Sequence, residues 1–282
     1  MLISKKCIYL VVLYLSAHAG YSMAESTWHE STCNIIDDGS SVGNGILPTE
    51  SVELVSGDSG TTLYYPANLP YSGCTFPVIG WGNGAGTSGG SGYVPYFERL
   101  ASYGFVIAVS HSPAATSGTP ILDSVQRALE LNDDVSSIFY QKLESNFGLM
   151  GKSLGSIAAS RDIGNSTHPV GANTYGTAAV MFSGSVTGVS KPGLWITGDA
   201  DFLADMTEAG YTSSTELSVF VTGGPGVTHL TLSDYTPGIE LATSFMRCNL
   251  RGDPNTCEYI LCEDCQVANW VNYQSSFQGS GC

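Results

Sequence analysis

The sequence predicts an α/β protein built on a mostly parallel, doubly wound sheet. Three observations predict it. Phe105-Val106-Ile107-Ala108-Val109 is apolar at every position, the pattern of a strand covered on both faces. Short apolar runs of this kind alternate along the chain with stretches of helical spacing, the signature of strand–helix–strand units. One of the junctions, Gly151-Lys152-Ser153-Leu154-Gly155, follows the apolar run Phe147–Met150 and precedes the helix-like run Ser156–Ser160. A sharp strand-to-helix turn needs small residues on both sides, and it leaves the central hydroxyl exposed beside a helix N-terminus.

The elements follow in order. Residues 51–55 and 61–65 alternate like strands, with 57–60 as the turn between them. Residues 77–81 read as a buried strand, followed by a Gly-rich loop over 82–92. Residues 93–103 have helical spacing, with Val94, Phe97, Leu100 and Ala101 on one face. After the strand at 105–109, residues 119–143 read as one long amphipathic helix. The elbow strand and helix come next, then strands at 178–182, 194–197 and 217–221 and a helix over 238–246. The chain holds no internal repeat. The expected organisation is a leader over 1–24, an N-terminal arm over 25–50, an α/β core over 51–247, and a Cys-rich extension of the same domain over 248–282.

The leader reads as a signal peptide. Lys5 and Lys6 precede a short apolar run, Cys7–Leu15, and Ser22-Met23-Ala24 and Ala17-His18-Ala19 both offer small-x-small cleavage sites. Cleavage after Ala24 removes two lysines and takes the formal net charge from −15 to −17. A surface of that sign repels nucleic acid and anionic membranes. No later run is long and apolar enough to span a bilayer, so the expectation is a secreted, extracellular or periplasmic monomer without membrane insertion. Seven cysteines remain after cleavage, five of them from Cys248 onward, as in a disulfide-stapled tail of an exported protein. Cys248, Cys257, Cys262 and Cys265 lack usual zinc-site spacing, so no metal is expected. A Cys33–Cys74 bridge would tie the arm to the core.

Ser153 at the elbow is the candidate nucleophile. A serine needs a base, and the base needs an orienting acid. Of the histidines, only His168 and His229 follow Ser153. His229 ends the Gly-rich run 223–228 directly after the last core strand, which favours it as the base. The acid is expected in Gly198-Asp199-Ala200-Asp201, after the strand at 194–197. Asp201 is preferred because the loop must leave the strand before its carboxylate turns; Asp199 is the alternative and Asp205 a distant third. The oxyanion donors are expected to be the Leu154 amide and, from the loop after Trp81, the amide of Ala85 or its neighbour Gly84. Trp81, Gly84, Phe182 and His111 are candidate substrate-binding residues, although aromatic residues at strand ends are more often core than subsite, and His111 is more often a hydrogen-bonded pocket wall.

Together, Trp81-Gly82-Asn83-Gly84, Gly151-Lys152-Ser153-Leu154-Gly155, Gly198-Asp199-Ala200-Asp201 and the His229 loop resemble the secreted α/β-hydrolases of the cutinase, polyester (PET) hydrolase and dienelactone-hydrolase-like group, over about residues 50–250. The resemblance implies an α/β-hydrolase fold, a Ser153–His229–Asp201 triad, an oxyanion hole completed by Ala85, no cofactor, and a small-molecule or polymeric carboxylic ester as substrate. The chain departs from the group at Lys152, where His or Tyr is commoner, and in having no evident aromatic-platform tryptophan; Phe182 lies nearest. Its compact spacing implies an open site without a lid. An acyltransferase or peptidase on the same triad, or a non-catalytic surface- or carbohydrate-binding protein, are the alternative readings.

Overall fold

The computed structural model describes residues 41–278, apart from 42, 58, 114–118, 171–174, 235 and 261–273. The expected leader, most of the arm, and Cys33, Cys262, Cys265 and Cys282 lie outside the described residues. The described chain builds one sheet of nine strands: β1 (Thr49–Val55), β2 (Thr61–Pro66), β3 (Phe76–Gly82), β4 (Val106–Ser110), β5 (Leu143–Lys152), β6 (Tyr175–Phe182), β7 (Gly193–Ala200), β8 (Ser218–Thr228) and β9 (Gln274–Gln278). Their order is β1-β2-β4-β3-β5-β6-β7-β8-β9. The strands from β4 through β8 pair in parallel, and the antiparallel pairs lie towards the two edges, β1 on β2 and β2 on β4 at one and β9 on β8 at the other.

Parallel strands need crossover connections, and these supply the helices. They are α1 (Val94–Ser102), α2 (Pro120–Asp133), α3 (Leu154–Asp162), α4 (Ala204–Thr212), α5 (Thr236–Arg251) and α6 (Pro254–Ile260). Pro120 opens α2 at its first turn, where its missing N–H removes no helical bond. The apolar stripe of α1 (Phe97, Leu100, Ala101) and that of α5 (Phe245, Met246) cover one sheet face, against Trp81, Phe105 and Val180. Ile121 and Val125 of α2, Ala158 of α3 and Tyr211 of α4 cover the other, against Val78, Leu149 and Trp195. Each fully buried Phe, Leu, Ile, Val or Met among them contributes roughly 1.5–3 kcal/mol. β3 and β4 are buried along their whole length, as two-sided cover requires. Gly80 sets the depth of α2: a Cβ there would lie 2.7 Å from Val125 Cγ2 and 2.8 Å from Ile121 Cγ2.

Three boundaries differ from the sequence expectation. The long helix expected over 119–143 ends at Asp133, because Asp134 turns the chain by accepting the Ser136 N–H at 2.9 Å and its hydroxyl at 2.7 Å. The ten residues before Ser153 then form β5, which begins at Leu143. β8 runs past the expected Val221 to Thr228, with residues 224–227 bulging between Gly223, paired with Gly198, and Thr228, paired with Ala200. The last core helix is longer than expected and runs through Cys248. Cys248 is bonded to Cys257, which ties α5 to α6. Cys74 is also disulfide-bonded. Among the described residues, no helix is long and apolar enough to cross a membrane.

Candidate active site

A parallel sheet gathers the carboxyl ends of its strands on one edge, and a crevice opens where the winding direction reverses. Here β3 has β4 on one side and β5 on the other, so the reversal lies between β3 and β5. The Gly-rich loop leaves β3 at that point, and the elbow leaves β5. The segments after β6, β7 and β8 begin on the same edge with Ser183, Asp201 and His229.

Ser153 has φ 55° and ψ −118°, a conformation that costs a non-glycine residue about 1–3 kcal/mol. The joint around it enforces that conformation. A Cβ on Gly151 would lie 2.3 Å from the Gly155 carbonyl carbon and oxygen, and one on Gly155 would lie 2.0 Å from Gly82 O. The first turn of α3 thus sits directly on the ends of β3 and β5, and Ser153 is the hinge between strand and helix. Its N–H donates to Phe182 O at 3.0 Å, and its carbonyl accepts the Ile157 N–H at 3.1 Å. The buried Ser156 hydroxyl donates to Gly151 O at 2.5 Å and Phe182 O at 2.9 Å, locking the turn to β6.

Gly84 is the part of the β3 loop that meets the elbow: a Cβ there would be 3.5 Å from both Ser153 Cβ and Lys152 O. Buried Asn83 holds this loop open. Its Nδ2 donates to Ser110 O at 2.5 Å, and its Oδ1 accepts the Gly90 N–H at 3.1 Å. Thr87 closes a turn onto Gly84 through its N–H (3.2 Å) and hydroxyl (2.8 Å). The amides of Ala85 and Leu154 donate to no acceptor among the described residues. Leu154 opens α3, so its N–H belongs to the orphan donors at the positive end of a helix.

Asp201 and His229 meet. His229 Nδ1 lies 3.1 Å from Asp201 Oδ1, which also accepts the Leu203 N–H at 2.9 Å. The Asp201 side chain is wholly buried, and its Oδ2 has no hydrogen-bond partner among the described residues. An ionised carboxylate can only accept, so a hydrogen bond from Asp201 Oδ1 to this ring needs a proton on His229 Nδ1. Asp199 does different work: its Oδ1 accepts the Gly226 N–H at 2.9 Å and pins the β8 bulge just before His229. Asp205 is exposed in the first turn of α4, a helix-dipole position.

Comparison of the sequence with protein-family models and with curated proteins finds no match.

The two other described histidines are structural braces. His168 Nε2 lies 2.9 Å from Asp123 Oδ1 on α2, and its Nδ1 accepts the Val170 N–H at 3.3 Å. His111 Nε2 lies 2.8 Å from Thr62 Oγ1 and its Nδ1 3.2 Å from Gly57 O, so both ring nitrogens face the β1–β2 hairpin. Its carbonyl takes the Ser88 hydroxyl at 2.7 Å, tying that hairpin to the Gly-rich loop. Trp81 and Phe182 are core residues. The Trp81 ring packs on Tyr93 and Phe97, with Phe182 6.4 Å away. Lys152 is buried too, its Nζ 5.8 Å from the Tyr93 ring centroid.

The apolar surface at the site comes from residues that sequence reading missed. Phe202 and Leu230 immediately follow Asp201 and His229, and each is 77% exposed. The Phe202 ring lies 4.4 Å from the His229 ring, tilted by 44°. Ser183 was also missed. Its hydroxyl lies 2.9 Å from His229 Nδ1, in a fully buried position. The only sequence signal for it was the abrupt change from the apolar run 178–182 to Ser-Gly-Ser at a strand end.

Proposed function

We propose that the protein is a serine hydrolase of carboxylic esters on an α/β-hydrolase fold, exported from the cell and acting through Ser153, His229 and Asp201. The observation that carries this reading is the buried Asp201–His229 contact on the sheet edge that also bears Ser153 in its positive-φ turn. The strand order, with its reversal between β3 and β5, fits the same reading. The Cys248–Cys257 disulfide fits export to an oxidising compartment.

The chemistry follows from these roles. Ser153 Oγ attacks the ester carbonyl while His229 Nε2 takes its proton. Asp201 stabilises the imidazolium through Nδ1–H. The negative charge on the carbonyl oxygen is held by the amides of Leu154 and Ala85, with Gly84 giving the loop room to approach. The tetrahedral intermediate collapses, and the alcohol leaves with the proton from His229. Water, deprotonated by His229, then attacks the acyl-enzyme and releases the acid and free Ser153. Phe202 and Leu230 offer the acyl or alcohol group an apolar surface beside the base.

The test is turnover of p-nitrophenyl esters and labelling by a fluorophosphonate. Wild-type protein should hydrolyse the esters and take the label at Ser153. Ser153→Ala should lose the label and at least about 10³-fold in kcat. Near-wild-type turnover by Ser153→Ala ends the proposal. A folded wild type that neither hydrolyses nor labels would favour the non-catalytic binding protein.

A further inference from the structure

Gly198-Asp199-Ala200-Asp201 carries two carboxylates, and both hold the segment that bears His229, at different points. Asp201 Oδ1 lies 3.1 Å from the ring at Nδ1. Asp199 Oδ1 accepts the Gly226 N–H at 2.9 Å, three residues before the ring. One acid orients the imidazole, and the other holds the backbone that carries it.

That backbone is an arch. Between the pairs Gly198–Gly223 and Ala200–Thr228, the single residue Asp199 of β7 faces residues 224–227 of β8. The extra residues must leave the plane of the sheet. Pro225 has no N–H to give, and Gly226 has φ 83°, the left-handed region that glycine adopts freely. Val227 folds back against the strand ends: a Cβ on Gly198 would run into its carbonyl, and one on Gly223 would lie 3.2 Å from its Cγ1. On the other side of His229 the chain is closed by a threonine turn. The Thr228 N–H donates to Thr231 Oγ1 at 2.8 Å, and the Thr231 N–H donates to Thr228 Oγ1 at 3.3 Å. Among the described residues, the bond from Gly226 to Asp199 is the one side-chain hydrogen bond to the arch 224–227.

We propose that Asp199 is a positioning residue for His229: by accepting the Gly226 N–H it sets the arch of β8, and the arch sets where the imidazole stands relative to Ser153. The proposal rests on the triad reading of Ser153, His229 and Asp201. Asp201 cannot fix the ring alone. A contact at Nδ1 lets the ring pivot about that atom when its backbone shifts, and the shift appears at Nε2, on the far side of the ring. Proton transfer needs Nε2 within hydrogen-bond reach of the nucleophile, about 2.6–3.2 Å, so small displacements of the arch bear on rate. Asp199 acts here as an acceptor of one N–H, which an amide oxygen of the same shape can also do.

The experiment compares Asp199→Ala and Asp199→Asn in the full protein. Asp199 is exposed, so both variants should melt within about 2 °C of wild type. Asp199→Ala should lower kcat on short-chain p-nitrophenyl esters about 3- to 10-fold with KM unchanged, as expected when one hydrogen bond that places the base is lost. Asp199→Asn keeps the acceptor and removes the charge, and should stay within about 2-fold of wild type. In ¹⁵N-labelled protein without substrate, the Gly226 amide should exchange with solvent faster, and the His229 Nδ1–H resonance should broaden, in Asp199→Ala but not in Asp199→Asn. A wild-type kcat in Asp199→Ala, resonances unmoved in that variant, or an Asp199→Asn protein as impaired as Asp199→Ala each overturns the proposal, the last because charge and not the bond would then be at work. A wild type inert toward esters and fluorophosphonate would refute the hydrolase reading, while the two resonances still decide whether Asp199 places His229.

Discussion

Gly155→Ala is the sharpest test of how the elbow is built. An alanine Cβ at 155 would lie 2.0 Å from Gly82 O, 2.3 Å from Gly82 C and 2.9 Å from Asn83 N. All three are backbone atoms, and Gly82 is held in register with Gly151 by the β3–β5 pairing, so no side chain can swing aside. Restoring van der Waals contact requires α3 to back away from the sheet by about 1 Å or more. Overpacking of this kind costs about 1–3 kcal/mol, and rigid backbone on the receiving side puts this case at about 3 kcal/mol. For a domain of this size, each kcal/mol lowers Tm by about 2–4 °C, so a drop of about 6–12 °C is expected. Ser153 would move with the helix, and a misplacement of about 1 Å can cost about 100-fold in rate. Thermal melting and the rate of fluorophosphonate labelling read the two effects separately. Gly73→Ala is the control: nothing lies within 4 Å of a Cβ there. A Gly155→Ala protein that melts and labels like wild type would refute the close-packed elbow.

Other outcomes follow from the same structure. Phe202→Ser should raise KM about 3- to 10-fold for long-chain or aromatic esters and leave acetate esters nearly unchanged, since the exposed ring beside His229 offers contact only to a bulky apolar group; a uniform effect across the series would contradict that. Replacing both Cys248 and Cys257 by Ala should cost about 2–3 kcal/mol, measured by urea unfolding, because the bond closes a short loop between α5 and α6. Asp134 carries the pH-dependent turn after α2: the Ser136 N–H and hydroxyl hold its carboxyl below the ordinary 3.8. Its contribution is therefore complete above pH 3.8 and is lost as pH falls through the lowered value, so the stability gap between wild type and Asp134→Ala should close on acidification. A gap that is constant with pH would assign the turn to shape alone.

The parts of the fold that sequence disclosed were those governed by local pattern. β3 and the run Val106–Val109 of β4 are apolar, and the elbow glycines announce a close approach between strand and helix. Asp199 and Asp201, two residues apart, have different partners, the Gly226 N–H and His229. Elements held by long-range backbone pairing stayed hidden. Gln274-Ser275-Ser276-Phe277-Gln278 has no apolar alternation, and β9 exists because β8 offers it a free edge. Gly223-Gly224-Pro225-Gly226 reads as loop, yet pairing with β7 continues on either side of the bulge. Helical periodicity carried the expected helix beyond Asp133, because capping by a side chain two residues from its partner leaves the hydrophobic pattern unchanged. Ser183 and Phe202 belong to the site only through contacts with residues on other segments, 46 residues away in the case of Ser183 and His229.

The pairing of β9 with β8 also sets an order of events during synthesis. The strand that leads into His229 is made well before the strand that completes its outer edge, and the Cys248–Cys257 bond lies on chain between them. A growing chain can already hold Ser153 and Asp201 near their final places while β8 still has one side unsatisfied. Such an edge is open to pairing with another chain until β9 arrives. A nascent molecule is thus most vulnerable to edge-to-edge misassembly in the interval between the emergence of His229 and that of Gln278.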